Sequence, residues 1–373
     1  MERIWKSALA LLACLMLCLP CARASEPFTV EAKAAVLIDA DSGRVLFAQN
    51  ADEMLPMAST TKIMTAILAL ENCSLDEQVT ASENASGVEG TSIYLSVGET
   101  LSMEHMLYGL MLRSGNDAAV AIAEHVAGSV ESFAEMMNKR AEELGADAHF
   151  VNPHGLPAEG HAASALGMAK IMRHAMTIPE FRTITATQRK IIPWVGNEYS
   201  RVLENKNRLL STYEGANGGK TGYTNAAGRC LVFSAERDGL SLIGVVLNCP
   251  TWFDTAETLL DYGFENFHAE TALEEGQSAG SVALRGGASD TVAVVAGGNL
   301  RSAVALGTPY TVRYIYKELT APVDRGDVVG TARMESGGEV IAVCPLLAAE
   351  DVPAWSLSEA LRAVLRNWLA SFA

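Results

Sequence analysis

The sequence predicts an α+β chain: a domain combining an antiparallel sheet with a helical region, then a small all-β domain, then a C-terminal amphipathic helix. Three observations carry this expectation. Strand signals open the first part, helical periodicities fill its middle and strands return before residue 250, an order that suits one α+β domain better than repeated βαβ units. From about Thr271 short β-rich runs alternate with Gly- and Asp-containing turns. From Pro353 the chain carries an apolar stripe at helical spacing. A length of 373 residues fits roughly two domains at a prior of about 150 residues each.

Residues 1–24 read as an export signal. Arg3 and Lys6 supply a positive start, Ala8 to Leu19 is an unbroken apolar run, Pro20 ends it, and Ala22-Arg23-Ala24 gives a small-x-small cleavage pattern. The run is shorter than the ~20 residues a spanning helix needs. The mature chain is therefore expected outside the cytoplasm, starting at Ser25.

Residues 25–270 form the larger domain. Ala34 to Ile38, the turn Asp41-Ser42-Gly43 and Arg44 to Phe47 make a hairpin. Ser102 caps a helix whose Met103, Met106, Leu107, Leu110 and Met111 share one face. Further helices are expected over about Asn116 to Ala127, around Phe133 to Leu144, and near Thr255 to Phe264. Cys230 to Ala235 and Ser241 to Leu247 read as strands joined at Arg237-Asp238-Gly239, a strong hairpin turn. Residues 271–350 supply the β-rich runs Ser281 to Leu284, Thr291 to Ala296, Tyr310 to Tyr314, Val328 to Met334 and Val340 to Cys344. In 351–373, Leu357, Leu361, Val364, Leu365, Trp368 and Phe372 line one helical face. With Trp355 ahead of them, they suit a membrane interface.

Composition narrows the function classes. Acidic residues outnumber basic ones 44 to 28, a formal net charge of -16, which speaks against nucleic acid as a partner because phosphate binding needs clustered Lys and Arg. The mature cysteines, Cys73, Cys230, Cys249 and Cys344, are too scattered for a disulfide framework, lack metal-site spacing, and read as small buried hydrophobes. No H-E-x-x-H or P-loop occurs, so no metal or cofactor is expected. Gly276-Gln277-Ser278-Ala279-Gly280 matches a nucleophile elbow in letters only, because it leads into a strand rather than a helix.

Three short motifs remain. Ser59-Thr60-Thr61-Lys62 opens a helix, where residues three apart share a face and the Ser59 hydroxyl can meet the Lys62 amine. Alone such a pattern is weak, and a Ser at a helix start is most often a cap. Ser114-Gly115-Asn116 lies between two helical segments. Lys220-Thr221-Gly222 follows Gly218-Gly219 and precedes a strand hairpin, the setting of an edge strand that can bind an extended peptide.

S-x-x-K, S-x-N and K-T-G in that order are the set shared by penicillin-binding proteins and class A β-lactamases, here with SGN in the middle. Their flanks, Met57 to Ala66, Arg113 to Ala118, Phe150 to Leu156 and Gly219 to Thr224, resemble the D-alanyl-D-alanine carboxypeptidases, the low-molecular-mass penicillin-binding proteins of peptidase family S11. The likeness covers about residues 29 to 268, and the β domain and tail fit that family's layout. It implies a penicillin-binding-protein/β-lactamase-like catalytic domain. Ser59 would be the acylated nucleophile, Lys62 its base, and Lys220 the cation that lowers the Lys62 pKa. Ser114 would bridge the two amines and relay the proton. Asn116 would bind the peptide backbone, while Lys220 and Thr221 would hold the terminal carboxylate. Gly222 and Tyr223 complete the strand, with the Ser59 and Tyr223 amides facing the oxyanion. The implied substrate is a peptidoglycan stem peptide, and β-lactams would acylate the same serine. After His161 the family's aromatic residue and Asp are replaced by Ala162 to Gly167, which bears on the rigidity of the loop beside the cleft. A β-lactamase, a peptidoglycan endopeptidase and a non-enzymatic sensor stay open as alternatives. The β-lactamase lacks a convincing Glu between Asn116 and Lys220.

Overall fold

The computed structural model describes residues 29–355 together with Ser358, Leu361 and Leu365. The expected export signal and most of the expected tail helix lie outside these residues. Leu361 and Leu365, one turn apart, are helical and exposed, as is Trp355 outside the helix.

The larger domain is built on a five-stranded antiparallel sheet. Its strands are β1 (Ala34–Asp39), β2 (Val45–Gln49), β3 (Ala216–Thr224), β4 (Gly228–Arg237) and β5 (Leu240–Leu247), in the order β2-β1-β5-β4-β3. Chain start and chain end of the domain thus meet in the middle, with Val36 opposite Val245. Both predicted hairpins form. β1 is buried on both faces, which explains its continuous apolar run where a one-faced strand would alternate. β3 is the edge strand, as its glycines and motif predict.

Seven helices matter for the site: α1 (Lys62–Asn72), α2 (Met103–Tyr108), α3 (Asn116–Ala127), α4 (Val130–Glu143), α5 (Ala165–Ala175), α6 (Pro179–Ala186) and α7 (Trp252–Asn266). α1 is central. Its residues Lys62 to Ala69 are all buried, so it is a core helix with no solvent stripe. The Ser102 side chain caps α2 by accepting from the His105 amide. The predicted continuation through Leu110 and Met111 is instead a π-helical turn, Gly109–Arg113, that delivers Ser114 in a left-handed conformation.

The segment after His161 is firmly held without the family's aromatic residue and Asp. Leu55 and Ala163 exchange both backbone hydrogen bonds at 3.0 Å, and the Ser164 hydroxyl caps α5 on the Gly167 amide at 2.9 Å. Gly167 is required by close approach, since a Cβ there would stand 2.5 Å from the Asp147 carbonyl oxygen.

The β domain is a six-stranded sheet with a core of Val292, Val294, Val329, Met334 and Leu346. All five predicted runs are strands. A strand pair that the sequence reading did not foresee, Phe267–Leu273 with Leu300–Ala305, runs through the expected boundary at residue 270. It joins the two parts. The buried Asp39 carboxylate accepts from the Ala303 amide at 3.0 Å, and Arg44 donates to the Ala303 carbonyl at 2.7 Å.

Candidate active site

Ser59 sits in a 3-10 turn, Ala58–Thr61, that runs directly into α1. It does not cap the helix. Ala58 has a left-handed φ of 49°, which bends the chain sharply before the turn. Lys62, one turn on, is completely buried, and its Nζ is 3.0 Å from Ser59 Oγ, 2.8 Å from Asn116 Oδ1 and 2.6 Å from the His154 carbonyl oxygen. Burial pushes the Lys62 pKa well below its ordinary value, and the Lys220 and Lys206 charges push it further; Asp117 opposes them weakly. Of its three partners only Ser59 can donate a proton. An uncharged Lys62 therefore keeps two N–H bonds to carbonyl oxygens and turns its lone pair to Ser59 Oγ.

The loop Asn152 to Leu156 supplies one of those carbonyls. Asn152 Oδ1 accepts from the Gly155 amide at 2.7 Å, and Thr65 Oγ1 donates to the Pro153 carbonyl at 2.6 Å. Gly155, at φ 90°, packs so closely that a Cβ would lie 1.9 Å from the Ala58 carbonyl oxygen. His161 ties the same region to the helix. Its Nδ1 accepts from the Val151 amide at 3.0 Å, which leaves Nε2–H to donate to Thr61 Oγ1 at 2.9 Å. Burial, chiefly, pushes the His161 pKa down to about 4, so the ring is neutral.

Ser114 and Asn116 enter from the opposite side. Asn116 Nδ2 donates to the Glu89 carbonyl at 2.7 Å while its Oδ1 holds Lys62, which leaves one N–H for a substrate carbonyl. Next to it, buried Asp117 accepts from Ser92 Oγ at 2.5 Å, from the Ile93 amide at 3.1 Å and from the Leu95 amide at 3.0 Å. Asp117 thereby fastens the loop carrying Gly90 and Thr91 to the start of α3. From the far side Arg201 grips the same loop: it donates to the Ile93 and Tyr94 carbonyls and makes a bidentate ion pair with buried Glu99 at 2.6 and 2.8 Å.

Strand β3 closes the third wall. Gly222 passes so near the Ser59 turn that a Cβ would stand 2.9 Å from the Ser59 amide nitrogen. Lys220 is buried, donates to the Thr221 carbonyl at 2.7 Å, and is pushed down to about 7 by burial and by Lys206. Tyr223 exposes its ring, so its contribution to the cleft wall is mainly backbone.

The structure brings Ser59, Ser114, Asn116, Thr221, Gly222 and Tyr223 around a single cleft, with Gly155, Lys206 and Trp252 also lining it; Lys62 is buried in contact with Ser59, and Lys220 is buried beside Thr221, its charge acting on Lys62. One expected contact is not made. The Ser114 hydroxyl, buried, has no hydrogen-bond partner among the described residues, and the Lys62 amine bonds instead to Ser59, Asn116 and the His154 carbonyl. The bridge between the two amines is therefore not formed in this structure. Sequence reasoning missed Lys206, the His154 carbonyl and the clamps Asp117 and Arg201. Asp117 was visible as a polar residue directly after the second motif, whereas Lys206 has no local signal. The elbow-like Gly276 to Gly280 is a turn and strand start, with Ser278 exposed and not among the residues that line the cleft.

Comparison with known proteins follows the same division. Residues 21–251 match the family described as D-alanyl-D-alanine carboxypeptidase, and residues 267–354 match penicillin-binding protein 5, C-terminal domain. The chain is 33% identical over 353 residues to the D-alanyl-D-alanine carboxypeptidase DacF of Bacillus subtilis, covering 91% of this chain and 90% of that one. It is 34% identical to DacC of Escherichia coli over 87% of this chain and 85% of the relative. The crystal structure of penicillin-binding protein 5 from Haemophilus influenzae superposes with a TM-score of 0.77 at 31% identity, covering 88% of this chain and 99% of that one.

Proposed function

The chain belongs to the D-alanyl-D-alanine carboxypeptidase family, and from that premise we propose that Ser59 removes the terminal D-alanine from peptidoglycan stem pentapeptides through an acyl-enzyme. The observation that carries the assignment is the buried Lys62 amine, 3.0 Å from Ser59 Oγ and otherwise bound only to carbonyl oxygens. A hydroxyl is a weak nucleophile until a base takes its proton, and only an uncharged lysine can do so.

In this reading the Ser59 proton passes to Lys62 Nζ as Oγ attacks the carbonyl carbon between the two D-alanines. The negative oxygen that forms faces the backbone amides of Ser59 and Tyr223, brought together where Gly222 meets the Ser59 turn. Lys62 returns the proton to the leaving amine, with the unpartnered Ser114 hydroxyl as relay. D-alanine departs, and water then hydrolyses the Ser59 ester. Asn116 offers its remaining N–H to the peptide backbone. Lys220 and Thr221 receive the substrate carboxylate, with Lys206 adding a further positive charge at the cleft wall. β-Lactams, which present a strained amide to the same nucleophile, acylate Ser59.

The export signal at 1–24 puts the enzyme outside the cytoplasm. The domain at 25–270 does the chemistry, 271–350 is the β domain, and the tail 351–373 rests on a membrane surface through a face that includes Leu361 and Leu365. The test is D-alanine release from a pentapeptide ending in D-Ala-D-Ala by residues 25–373 and by Ser59→Ala. Release by the first and not the second is expected. Covalent penicillin labelling of Ser59→Ala would overturn the nucleophile. Labelling of the intact chain without release would point to an endopeptidase, or to a sensor that only traps the drug.

A further inference from the structure

Cys73 departs from the other three cysteines among the described residues. Cys230, Cys249 and Cys344 are buried, whereas Cys73 is partly exposed, just past the last residue of α1. Beside it stand Glu77, ahead of the strand Gln78–Thr80, and His125, in the last turn of α3. The thiol sulfur, a carboxylate oxygen and an imidazole nitrogen all lie within 4.8 Å of one another.

The trio is already partly organised. Glu77 Oε1 accepts from the Ser74 amide at 2.6 Å and from Ser74 Oγ at 3.2 Å, which fixes the carboxylate. Its Oε2 is 3.2 Å from His125 Nε2. Tetrahedral zinc, with bonds of about 2.0–2.3 Å, holds its ligand atoms roughly 3.3–3.7 Å apart. The carboxylate and imidazole, 3.2 Å apart, need only open slightly to reach that spacing, and the sulfur reaches it by moving about 1 Å or less, within a side-chain adjustment. Mixed sulfur, nitrogen and oxygen donors favour zinc-like divalent ions over magnesium or calcium, which take oxygen.

We propose that Cys73, Glu77 and His125 form a binding site for a zinc-class divalent cation, with the fourth position open to water. Binding replaces the Cys73 thiol proton, which leaves to solvent, and frees His125 Nε2 of the proton it shares with Glu77, the neutral ring keeping its proton on Nδ1; no redox change is involved. The site joins the far ends of two helices whose near ends hold the cleft: α1 begins at Lys62 and α3 at Asn116. An ion there would staple both helices and stabilise the folded chain by mass action. It would do so without entering the reaction.

The experiment titrates Zn2+ into untagged residues 25–373, with a phosphine as reductant, against a chromophoric chelator. One equivalent should bind and raise the thermal midpoint. Cys73→Ser and His125→Ala should each weaken binding by at least about tenfold while penicillin labelling of Ser59 stays at the wild-type rate. That unchanged labelling keeps the metal site separable from the peptidase reading. Co2+ added to the wild-type chain should give a thiolate-to-metal absorption band, a readout that needs no variant. No binding at about 100 µM Zn2+, no thiolate band, or wild-type affinity in both variants would each overturn the proposal.

Discussion

Gly155→Ala isolates how the Ser59 turn is positioned. Gly155 sits at φ 90°, and an added Cβ would lie 1.9 Å from the Ala58 carbonyl oxygen and 2.9 Å from the Ser59 amide nitrogen. Ordinary contact begins near 3.4 Å, so the Ser59 turn and the His154 loop must separate by about 1.5 Å. A misplacement of about 1 Å at a reacting group lowers the rate roughly 100-fold. The backbone conformation adds about 1–2 kcal/mol of strain. The control is Gly128→Ala, which has a similar φ of 81° and nothing within 4 Å of the new Cβ. It shares the strain without the clash. The assay is the second-order rate of covalent labelling by a fluorescent penicillin, with urea midpoints for both variants. We expect both to lose stability and Gly155→Ala alone to lose about two orders of magnitude in labelling. Equal labelling rates in the two variants would refute the argument that this loop sets the nucleophile.

Other consequences follow from the same geometry. Lys62→Met should lower acylation by about 10²–10⁴-fold, and wild-type acylation should rise with pH because the reactive lysine is the uncharged one; a flat pH–rate profile would count against Lys62 as the base. Glu99→Gln leaves the buried Arg201 charge unpaired and should destabilise by about 3–5 kcal/mol in urea unfolding. Although burial opposes it, the Arg201 bonds hold the Glu99 pKa below 4.5. The pair's stabilisation is therefore present above that pH and lost as pH falls through the lowered folded value, and Glu99→Gln should not show that loss. His161 stays neutral down to about 4 in the fold but takes a proton near 6.5 when unfolded. Its contribution, about 3 kcal/mol at full effect, is present above 6.5 and disappears toward pH 4. His161→Gln should show a shallower acid slope across that window.

Much of the fold and the cleft was readable before any coordinates. Local signals with a direct physical cause were legible: the Asp41-Ser42-Gly43 and Arg237-Asp238-Gly239 turns, the Ser102 cap, and the edge strand at Lys220. The order of three short motifs then named the residues around the cleft. What the sequence could not supply were relations across long stretches of chain. The Gly109–Arg113 π-turn follows from packing rather than from periodicity, since Leu110 and Met111 remain apolar in either helix type. Lys206, in the segment between the strand Arg201–Glu204 and the short helix Leu209–Thr212, reaches Lys62 and Lys220 only through the fold, and its charge counts because burial removes water's screening. The same holds for Arg201 on Glu99 and for Cys73, Glu77 and His125. In each case the chemistry belongs to side chains distant in sequence, and their spacing in the chain carries no trace of it. Tertiary structure decides such sites because burial and proximity, rather than residue order, set how strongly charges, thiols and hydrogen bonds act on one another.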